Sequence, residues 1–316
     1  MSSEPFDAEM ARFLAEAAKL GPAWQPDWPL ARRRPARDEN YRLNRAGRPP
    51  RLMVEDLDVG GLHVRIFRPP GEDPKPAMLY AHGGGWAWGS CETHDDITAE
   101  IADQADVVSV AFDYRLAPEH PHPAQVEDAA TVLDWMCSSG RALGLDPGRI
   151  VAAGDSAGGQ IAAGLALRLK AAGGPQLRGL VLVNPALGAN TETASYLAHA
   201  MSPTLQRAHM VEYLEAFLGP RGSPAWRDPV ALPNLAPDVS GLPPTFISVA
   251  GHDPLHDDGV IFHDKLRAAG VACVLRHEPA LAHTYIRARH ASAAAKAGFA
   301  AIVEAVRQLG HEGLLS

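Results

Sequence analysis

Gly154-Asp155-Ser156-Ala157-Gly158 is the stretch of this 316-residue sequence that decides the fold. It follows an apolar run at 150–153 and precedes a helix-forming run at 157–172, so it predicts a sharp turn from strand to helix. A G-x-S-x-G pentapeptide in that setting is typical of a nucleophile elbow, which holds a serine hydroxyl above the carboxyl end of a sheet. Ser156 is therefore the candidate nucleophile. Gly154, Asp155 and Gly158 are expected to support the turn, the glycines because strand and helix backbones nearly touch there.

A second motif lies upstream, where a predicted strand at 77–81 runs into His82-Gly83-Gly84-Gly85-Trp86. Acyl transfer builds negative charge on a carbonyl oxygen, and backbone N–H groups fixed in advance stabilise that charge without reorganisation. In lipases and esterases such a loop supplies these donors, together with the N–H of the residue after the nucleophile. The sequence thus predicts an oxyanion hole formed by Gly83, Gly84 and Ala157, with His82 and Gly85 supporting the loop.

A serine nucleophile needs a base, and the base needs a carboxylate that orients it. The stretch 245–250 is rich in β-branched and aromatic residues and predicts a strand, which ends at Gly251-His252-Asp253. This position favours Asp253 as the carboxylate. Asp257 and Asp258 are alternatives, although they fit the first turn of the following helix, where carboxylates offset the helix dipole.

The candidate base follows the last predicted strand, 272–277, on the loop that leads to the last helix. His283 lies on that loop, where a histidine can reach over the serine. The sequence holds 14 histidines, and His277 and His252 are the competitors. His277 belongs to the strand, and His252 precedes the acid too closely to face it, so His283 is the predicted base.

Five motifs in fixed order resemble the bacterial hormone-sensitive-lipase-like esterases, in the branch whose elbow reads GDSAG. They are 82–86, then Asp113-Tyr114-Arg115-Leu116-Ala117-Pro118-Glu119-His120-Pro121, the elbow, 253–257 and His283. The resemblance covers roughly residues 50 to 310 and implies an α/β-hydrolase fold. It also implies that Ser156, Asp253 and His283 form the triad and that residues 114–123 buttress the site.

One position departs from the pattern of that family. A glycine and then a phenylalanine commonly follow the catalytic histidine, whereas this sequence has Thr284-Tyr285. The difference bears on the shape of the substrate pocket beside the histidine. The residues expected to line the pocket are Trp86, Trp88, Leu255, Thr284 and Tyr285.

The composition is that of a soluble enzyme. Hydrophobic residues make up 46% of the chain, and the formal net charge of −8 argues against nucleic acid or an anionic membrane as a partner. No apolar stretch reaches membrane-spanning length, and residues 1–6 lack the features of a signal peptide. Cys91, Cys137 and Cys273 have no metal spacing and are expected to be free thiols. We expect a cytoplasmic enzyme with no metal and no cofactor that acts on a small-molecule ester; a homodimer is left open.

Strand and helix patterns alternate along most of the chain. This alternation predicts an α/β fold with a mostly parallel sheet of about eight strands and helices on both faces. Val59-Gly60-Gly61-Leu62 predicts a hairpin at an antiparallel edge. The predicted strands are 52–59, 63–67, 77–81, 107–112, 150–153, 180–184, 245–250 and 272–277, and the predicted helices include 7–19, 124–136 and 157–172.

Two segments, 1–50 and 186–240, lie outside this alternation. In the first, Arg32-Arg33-Arg34 is expected to lie in a solvated loop. The second holds one predicted helix, 202–218, and long insertions after sheet strands usually act as lids or binding loops. The resemblance implies that both segments form a helical cap over a catalytic core of 51–185 and 241–316. Its candidate lining residues are Trp24, Trp28, Met201, Met210, Phe217 and Trp226.

Hydrolysis of short-chain carboxylic esters through an acyl-enzyme is the function that these residues and the resemblance favour. An amidase or a lactonase would use the same triad, because fold and triad do not settle which bond is cleaved. A true lipase would need a large, mobile, hydrophobic lid, whereas the predicted cap is short and partly polar. A small-molecule receptor on this scaffold would lack a triad residue, and all three are present here.

Overall fold

The predicted α/β fold is confirmed, and all of its strands pair into one sheet. The computed structural model describes residues 4–23, 25, 27–72 and 74–315. The strands are β1 (Met53–Val59), β2 (Leu62–Arg68), β3 (Lys75–Ala81), β4 (Val108–Phe112), β5 (Leu145–Asp155), β6 (Gly179–Val183), β7 (Thr245–His252) and β8 (Cys273–Ala282). The helices are α1 (Ala8–Ala17), α2 (Leu30–Leu43), α3 (Asp95–Ala105), α4 (Ala124–Ser139), α5 (Ala157–Ala172), α6 (Ala194–Ala198), α7 (Arg207–Leu218), α8 (His256–Ala268) and α9 (Ala293–Arg307).

The eight strands follow the order β1-β2-β4-β3-β5-β6-β7-β8. From β4 to β8 all neighbours are parallel, whereas β2 is antiparallel to both β1 and β4. The β1–β2 hairpin turns at Gly60 and Gly61, both with positive φ, as the sequence predicts. Because the parallel strands point the same way, the loops after β3, β5, β7 and β8 meet at one edge of the sheet.

Alternate residues of the central strands enter two apolar cores, one on each face of the sheet. In β3, Leu79 packs into the core formed with α4, α5 and α8, and Met78 packs into the core formed with α3 and α9. Both faces are therefore covered, and every residue of β3, β4 and β6 is buried. Among the residues that the structure describes, no helix has the length and apolar character needed to cross a bilayer.

The last strand is longer than the sequence predicts. β8 continues past residue 277 to Ala282, so the stretch before His283 is a strand and not a loop. A register shift in β7 between Ala250 and His252 allows His252 to pair with Ala282. Gly251 lies at this shift, where a Cβ atom would come within 2.2 Å of the Pro279 carbonyl oxygen. Because Gly251 has no side chain, the backbones of β7 and β8 can approach this closely, and the two strands stay paired beyond the register shift.

The N-terminal segment also differs from the expectation. The expected solvated loop at Arg32-Arg33-Arg34 is wrong, because these residues belong to α2. The Arg33 side chain is only 1% exposed and pairs with Glu212 of α7. Arg34 forms an ion pair with Glu119 at 2.8 Å and donates to the carbonyl oxygen of Ala87. Carboxylate and carbonyl oxygens from distant parts of the chain thus accept hydrogen bonds from the arginines of this basic helix.

The helix predicted at 202–218 in the insertion 186–240 is shorter in the structure, and further short helices stand on either side of it. The main helix of the insertion, α7, begins at Arg207 rather than at residue 202, and Gln206 caps it. Before it stand the short α6 and a turn, and after it two single-turn 3₁₀ helices at Pro224–Arg227 and Pro233–Leu235. α7 buries Met210, Tyr213 and Phe217 toward the rest of the molecule.

Candidate active site

Ser156 stands at the turn between β5 and α5. Its backbone has φ 57° and ψ −119°, a conformation that a residue with a side chain rarely adopts. Its N–H donates to the Val183 carbonyl oxygen at 2.8 Å, which ties the turn to β6. A Cβ atom at Gly158 would lie 1.9 Å from the Ala81 carbonyl oxygen, and one at Gly154 would lie 2.4 Å from the Gly158 carbonyl carbon. The turn therefore requires both glycines.

Ser156, His283 and Asp253 form a continuous hydrogen-bonded chain. His283 Nε2 lies 2.8 Å from Ser156 Oγ, and His283 Nδ1 lies 2.7 Å from Asp253 Oδ2. The other carboxylate oxygen of Asp253 accepts the Leu255 N–H at 2.9 Å. Asp253 is fully buried, whereas Ser156 and His283 keep 9% and 8% exposure at the base of a pocket. The arrangement suits transfer of the serine proton to an imidazole that a carboxylate holds in one orientation.

The competing acids and histidines point elsewhere. Asp257 accepts the Ser195 N–H at 2.9 Å, and Asp258 accepts the N–H groups of residues 187 and 188. His252 Nε2 lies 3.1 Å from the Glu4 carbonyl oxygen, and the His277 ring faces His256. None of the four contacts Ser156 among the described residues.

Asn184 positions the histidine loop, and the sequence analysis missed it. Its side-chain nitrogen donates to the His283 carbonyl oxygen at 2.5 Å, and its side-chain oxygen accepts the Ala250 N–H at 2.8 Å. Its own backbone has φ 44°, which asparagine tolerates better than most residues. Its place directly after β6, at the edge of the sheet that carries the site, is a signal that could have found it.

The expected oxyanion hole needs a correction at Gly83. The Gly83 N–H donates to Asp155 Oδ1 at 3.1 Å, so it is not available to a substrate. Within the described part of the chain, no acceptor occupies the N–H groups of Gly84, Gly85 and Ala157. Ala157 is the first residue of α5, where an N–H has no partner inside the helix. Gly84, Gly85 and Ala157 are therefore the donors that can face a developing oxyanion.

Asp155 anchors the loop at residues 82–86, called the glycine loop below, through a hydrogen bond to Gly83. Besides the Gly83 N–H, its Oδ1 accepts the Tyr80 hydroxyl at 2.7 Å, and its Oδ2 lies 3.5 Å from His94 Nε2. Burial alone would raise the pKa of Asp155, but the neighbouring His94, Tyr80 and Arg287 outweigh it and hold the pKa below its usual range. Asp155 is thus an ionised anchor for the loop.

His82 is buried inside the same loop. Its Nδ1 donates to the Gly83 carbonyl oxygen at 2.9 Å, and its ring stacks on Tyr114 with centroids 4.2 Å apart. The Tyr114 hydroxyl in turn donates to the His82 carbonyl oxygen at 2.8 Å. Burial, followed by the nearby His94, lowers the pKa of His82 to about 4, so this imidazole is neutral near pH 7. These contacts suit a structural role.

The pocket over Ser156 has a volume of about 500 Å³, including its opening to solvent. Trp88 and Thr284 lie on its wall, but the expectation was wrong for Trp86, Leu255 and Tyr285. Trp86 stacks flat on Phe217 at 4.1 Å, and Leu255 is fully buried in the core. Tyr285 points under the sheet, where its hydroxyl lies 2.7 Å from Ser248 Oγ. Side chains that the sequence analysis missed also line the pocket: Arg37, Tyr41, His94, Thr204, Leu205, Tyr213, Ile286 and Arg287.

Of the candidate cap residues, Met210 alone lines this pocket among those described. Phe217 is covered by Trp86, and Met201 is 77% exposed. The guanidinium groups of Arg32 and Arg221 stack over the rings of Trp28 and Trp226, respectively. Trp24 lies outside the described residues.

Donor atoms that could hold a metal come together away from the pocket. His63, Cys91 and Asp113 bring one ligand atom each within 4.8 Å of the others. Asp113 accepts the Cys91 N–H at 2.5 Å and lies 2.8 Å from His63 Nδ1, and burial raises the pKa of the Cys91 thiol well above its usual value. The three residues already satisfy one another through hydrogen bonds.

Comparison with known proteins indicates the same fold and class of enzyme as the geometry does. A family model described as the alpha/beta hydrolase fold matches residues 78–287. The chain is 40% identical over 282 residues to the carboxylesterase NlhH of Mycobacterium tuberculosis, covering 84% of this chain and 82% of that protein. It is 34% identical over 264 residues to an ethyl acetate hydrolase of Pseudomonas putida, covering 81% of each.

The fold also matches solved structures closely. An esterase from Pyrobaculum calidifontis superposes with a TM-score of 0.88 and 28% identity, over 96% of this chain and 99% of that one. Sequence, site geometry and structural likeness therefore agree. The chain belongs to the α/β-hydrolase fold family, among the hormone-sensitive-lipase-like esterases, and is a carboxylic ester hydrolase.

Proposed function

We propose that the protein hydrolyses short-chain acyl esters of small molecules through an acyl-enzyme on Ser156. The observation that carries this proposal is the hydrogen-bonded chain from Ser156 Oγ through His283 to the buried Asp253, with distances of 2.8 and 2.7 Å. In the first step His283 takes the serine proton while Ser156 Oγ attacks the ester carbonyl carbon. Asp253 keeps Nδ1 protonated and stabilises the imidazolium that forms.

The developing negative charge needs donors that are already in place. We propose the N–H groups of Gly84, Gly85 and Ala157 for this role, with Asp155 holding the loop through Gly83. Fixed backbone donors act without reorganisation and contribute roughly 3–4 kcal/mol each in comparable sites. His283 then gives its proton to the leaving alcohol. A water molecule repeats the sequence on the acyl-enzyme and releases the acid.

The preference for short acyl chains follows from the walls of the pocket. Leu205, Met210, Tyr213 and Trp88 bound it, and each is nearly or fully buried, so the pocket widens only if packed side chains move. The similarity to a protein named as an ethyl acetate hydrolase supports a small ester as substrate.

We also propose that 1–50 and 186–240 act together as a cap on the catalytic core. Arg37 and Tyr41 of α2 and Met210 and Tyr213 of α7 stand on the walls of one pocket. The Arg33–Glu212 pair links the two helices directly. A substrate reaching Ser156 would therefore contact both segments.

The test is a set of p-nitrophenyl esters measured beside matching p-nitroanilides and lactones, with S156A as the control. We expect turnover of esters, little turnover of anilides or lactones, and loss of nearly all activity in a folded S156A variant. An organophosphate should add one adduct, on Ser156, in the intact-mass spectrum. Faster turnover of anilides or lactones, or an active S156A enzyme, would contradict the proposal.

A further inference from the structure

Arg287 is a cation on the wall of the pocket that forms no direct ion pair with a carboxylate among the described residues. Its Nη1 donates to the Thr93 carbonyl oxygen at 3.1 Å, its Nη2 lies 3.0 Å from His94 Nε2, and its Cζ lies 3.8 Å from the Tyr41 ring centroid. In the described part of the chain no carboxylate oxygen comes within 4.0 Å of it. A guanidinium has five N–H donors, and these contacts use at most two of them. Its remaining donors are open to a ligand.

A second arginine stands on the same pocket. Arg37 of α2 lies with its Cζ 4.6 Å from the Trp88 ring centroid. It lines both the pocket over Ser156 and a wider cavity beside it, between α1, α2 and residues 203–209. That cavity also carries Lys19 on its wall. The route from solvent to Ser156 is therefore lined by cationic side chains.

Acidic groups balance these charges in part. Lys19 pairs with Glu16 at 2.6 Å, and Arg287 lies close enough to Asp155 to lower the pKa of that carboxylate. Asp155 is the acidic residue among the described lining residues of the pocket and the cavity, and its Oδ1 is occupied by Tyr80 and Gly83. Asp38, next to Arg37 in sequence, accepts the Gly89 N–H at 2.9 Å; burial raises the pKa of Asp38, and the nearby Arg34, His94 and Arg37 oppose that shift. The described lining of the pocket over Ser156 thus holds two arginines and one aspartate, in a chain whose formal net charge is −8.

A histidine at the cavity responds to this positive charge. The pKa of His209 is lowered, first because the ring is half-buried and then because Arg37 and Arg33 lie nearby. The same field that opposes protonation of His209 would attract an anion.

We propose that the pocket binds esters that carry a free carboxylate, such as monoesters of dicarboxylic acids, and that Arg287 receives the carboxylate while Arg37 adds its charge. A guanidinium matches a carboxylate in shape and binds it through paired, charge-assisted hydrogen bonds. This inference rests on the proposed function, because the ester group must lie at Ser156. Water is consumed at the ester bond, an alcohol leaves, and the bound carboxylate is unchanged.

The experiment compares monoethyl glutarate with ethyl 5-oxohexanoate, a neutral analogue in which a methyl ketone replaces the carboxylate. Acid release in a pH-stat gives kcat/KM for each ester with wild-type enzyme, R287Q and the control R51Q. R51Q removes an equal charge from the exposed pair with Asp103, away from the pocket. The measurement is the ratio of kcat/KM for the charged over the neutral ester, which cancels any damage common to both.

We expect the wild-type ratio to be about 10 to 100, the range that one hydrogen bond to a charged group provides. R287Q should lower the ratio roughly tenfold, mainly through a higher KM for monoethyl glutarate, and R51Q should keep it. A wild-type ratio of one or less, or an R287Q ratio equal to that of the wild type, would overturn the subsite. If R287Q does not fold, the subsite is tested by the wild-type ratio and by the R37Q variant. R37Q is expected to lower that ratio several-fold.

Failure of the subsite is distinguishable from failure of the proposed function. Wild-type enzyme that hydrolyses the neutral ester at least as well as the charged one remains an esterase without an anion subsite. Folded wild-type enzyme that hydrolyses neither ester faster than S156A contradicts the proposed function itself.

Discussion

Asn184 donates its side-chain N–H to the carbonyl oxygen of His283, 99 residues further along the chain, at 2.5 Å. The same side chain accepts the Ala250 N–H near the end of β7, three residues before Asp253. One amide thus connects the strand ends that carry the candidate base and the candidate acid. The relative position of the two depends on this bridge as well as on their own hydrogen bond.

Asn184→Ala should therefore reduce kcat by about tenfold to a hundredfold, because small displacements of a catalytic group cost about that much. KM should change little, since Asn184 does not line the pocket. The buried His283 carbonyl and Ala250 N–H lose their partner, so the free energy of unfolding should also fall by roughly 1–3 kcal/mol. The measurements are steady-state kinetics and chemical denaturation, with Asn190→Ala, an exposed asparagine, as the control. A folded variant with wild-type kcat would show that the bridge does not position His283.

Asp155→Ala should disable the glycine loop. Without the carboxylate, the Gly83 N–H and the Tyr80 hydroxyl lose their acceptor, and the loop that presents Gly84 and Gly85 is free to shift. We expect kcat on p-nitrophenyl acetate to fall about a hundredfold, as for loss of one oxyanion donor. Asp155→Asn keeps an oxygen acceptor and should retain more activity than the alanine variant. Equal kcat in wild-type enzyme and a folded D155A variant would remove Asp155 from this role.

Activity over acyl length should peak between acetyl and hexanoyl and then fall sharply. Each buried methylene contributes about 0.8 kcal/mol until the pocket is full. Beyond that point, added carbons displace packed side chains at a cost of roughly 1–3 kcal/mol. Met210→Ala should move the peak to longer chains, because Met210 lines the pocket, whereas Met53→Ala, at a 61% exposed residue, should not. The readout is kcat/KM for a series of p-nitrophenyl esters, and a best substrate such as dodecanoyl or palmitoyl ester would contradict this prediction.

Asp258→Asn should stabilise the protein at neutral and higher pH. Burial raises the pKa of Asp258 from its ordinary 3.8 to about 7, although the N–H groups of Gly188 and Leu187 oppose the shift. Between these values the folded state keeps a proton that the unfolded state has lost, so stability falls as pH rises, by roughly 1.4 kcal/mol per unit. Asparagine keeps an oxygen for both N–H groups and carries no charge.

The measurement is the free energy of unfolding by denaturant at several pH values. The difference between D258N and wild type should be small near pH 4, grow to a few kcal/mol by about pH 7 and then level off. Asp264→Asn changes an exposed carboxylate on the same helix and serves as the control. A difference that stays constant from pH 4 to pH 8 would show that Asp258 does not titrate as the structure implies.

Local signals explain what the sequence predicts well. The elbow and the glycine loop each follow a strongly apolar strand, and the chain order of strands and helices is sufficient to predict a mostly parallel sheet. α2 could not be found in this way, because its sequence is polar all round and its burial depends on Glu212 and Glu119, far along the chain. The sequence also could not predict that Gly85, rather than Gly83, has a free N–H for the oxyanion. The difference depends on a tertiary contact, because the Asp155 side chain accepts the Gly83 N–H.

The pocket was the least predictable part for a related reason. Tyr285 follows Thr284 immediately, yet the 3₁₀ turn at Tyr285–Ala288 sends the two side chains in different directions. Thr284 faces the pocket and Tyr285 faces Ser248 beneath the sheet. Periodicity along a strand or a helix does not describe such a turn. The arginines on the pocket wall likewise come from α2 and from this turn, which the motifs do not include.

The pair between Arg33 and Glu212 has a consequence for engineering this enzyme. A designer who grafts only the insertion of a relative onto this scaffold would replace Glu212, the carboxylate that pairs with the buried Arg33, and removing one member of a buried ion pair is strongly destabilising. Helix α2 and the insertion should therefore be exchanged together, although Arg33 and Glu212 are 179 residues apart in the sequence. Chimeras that carry both pieces from the same parent should be the ones that express and keep that parent's selectivity.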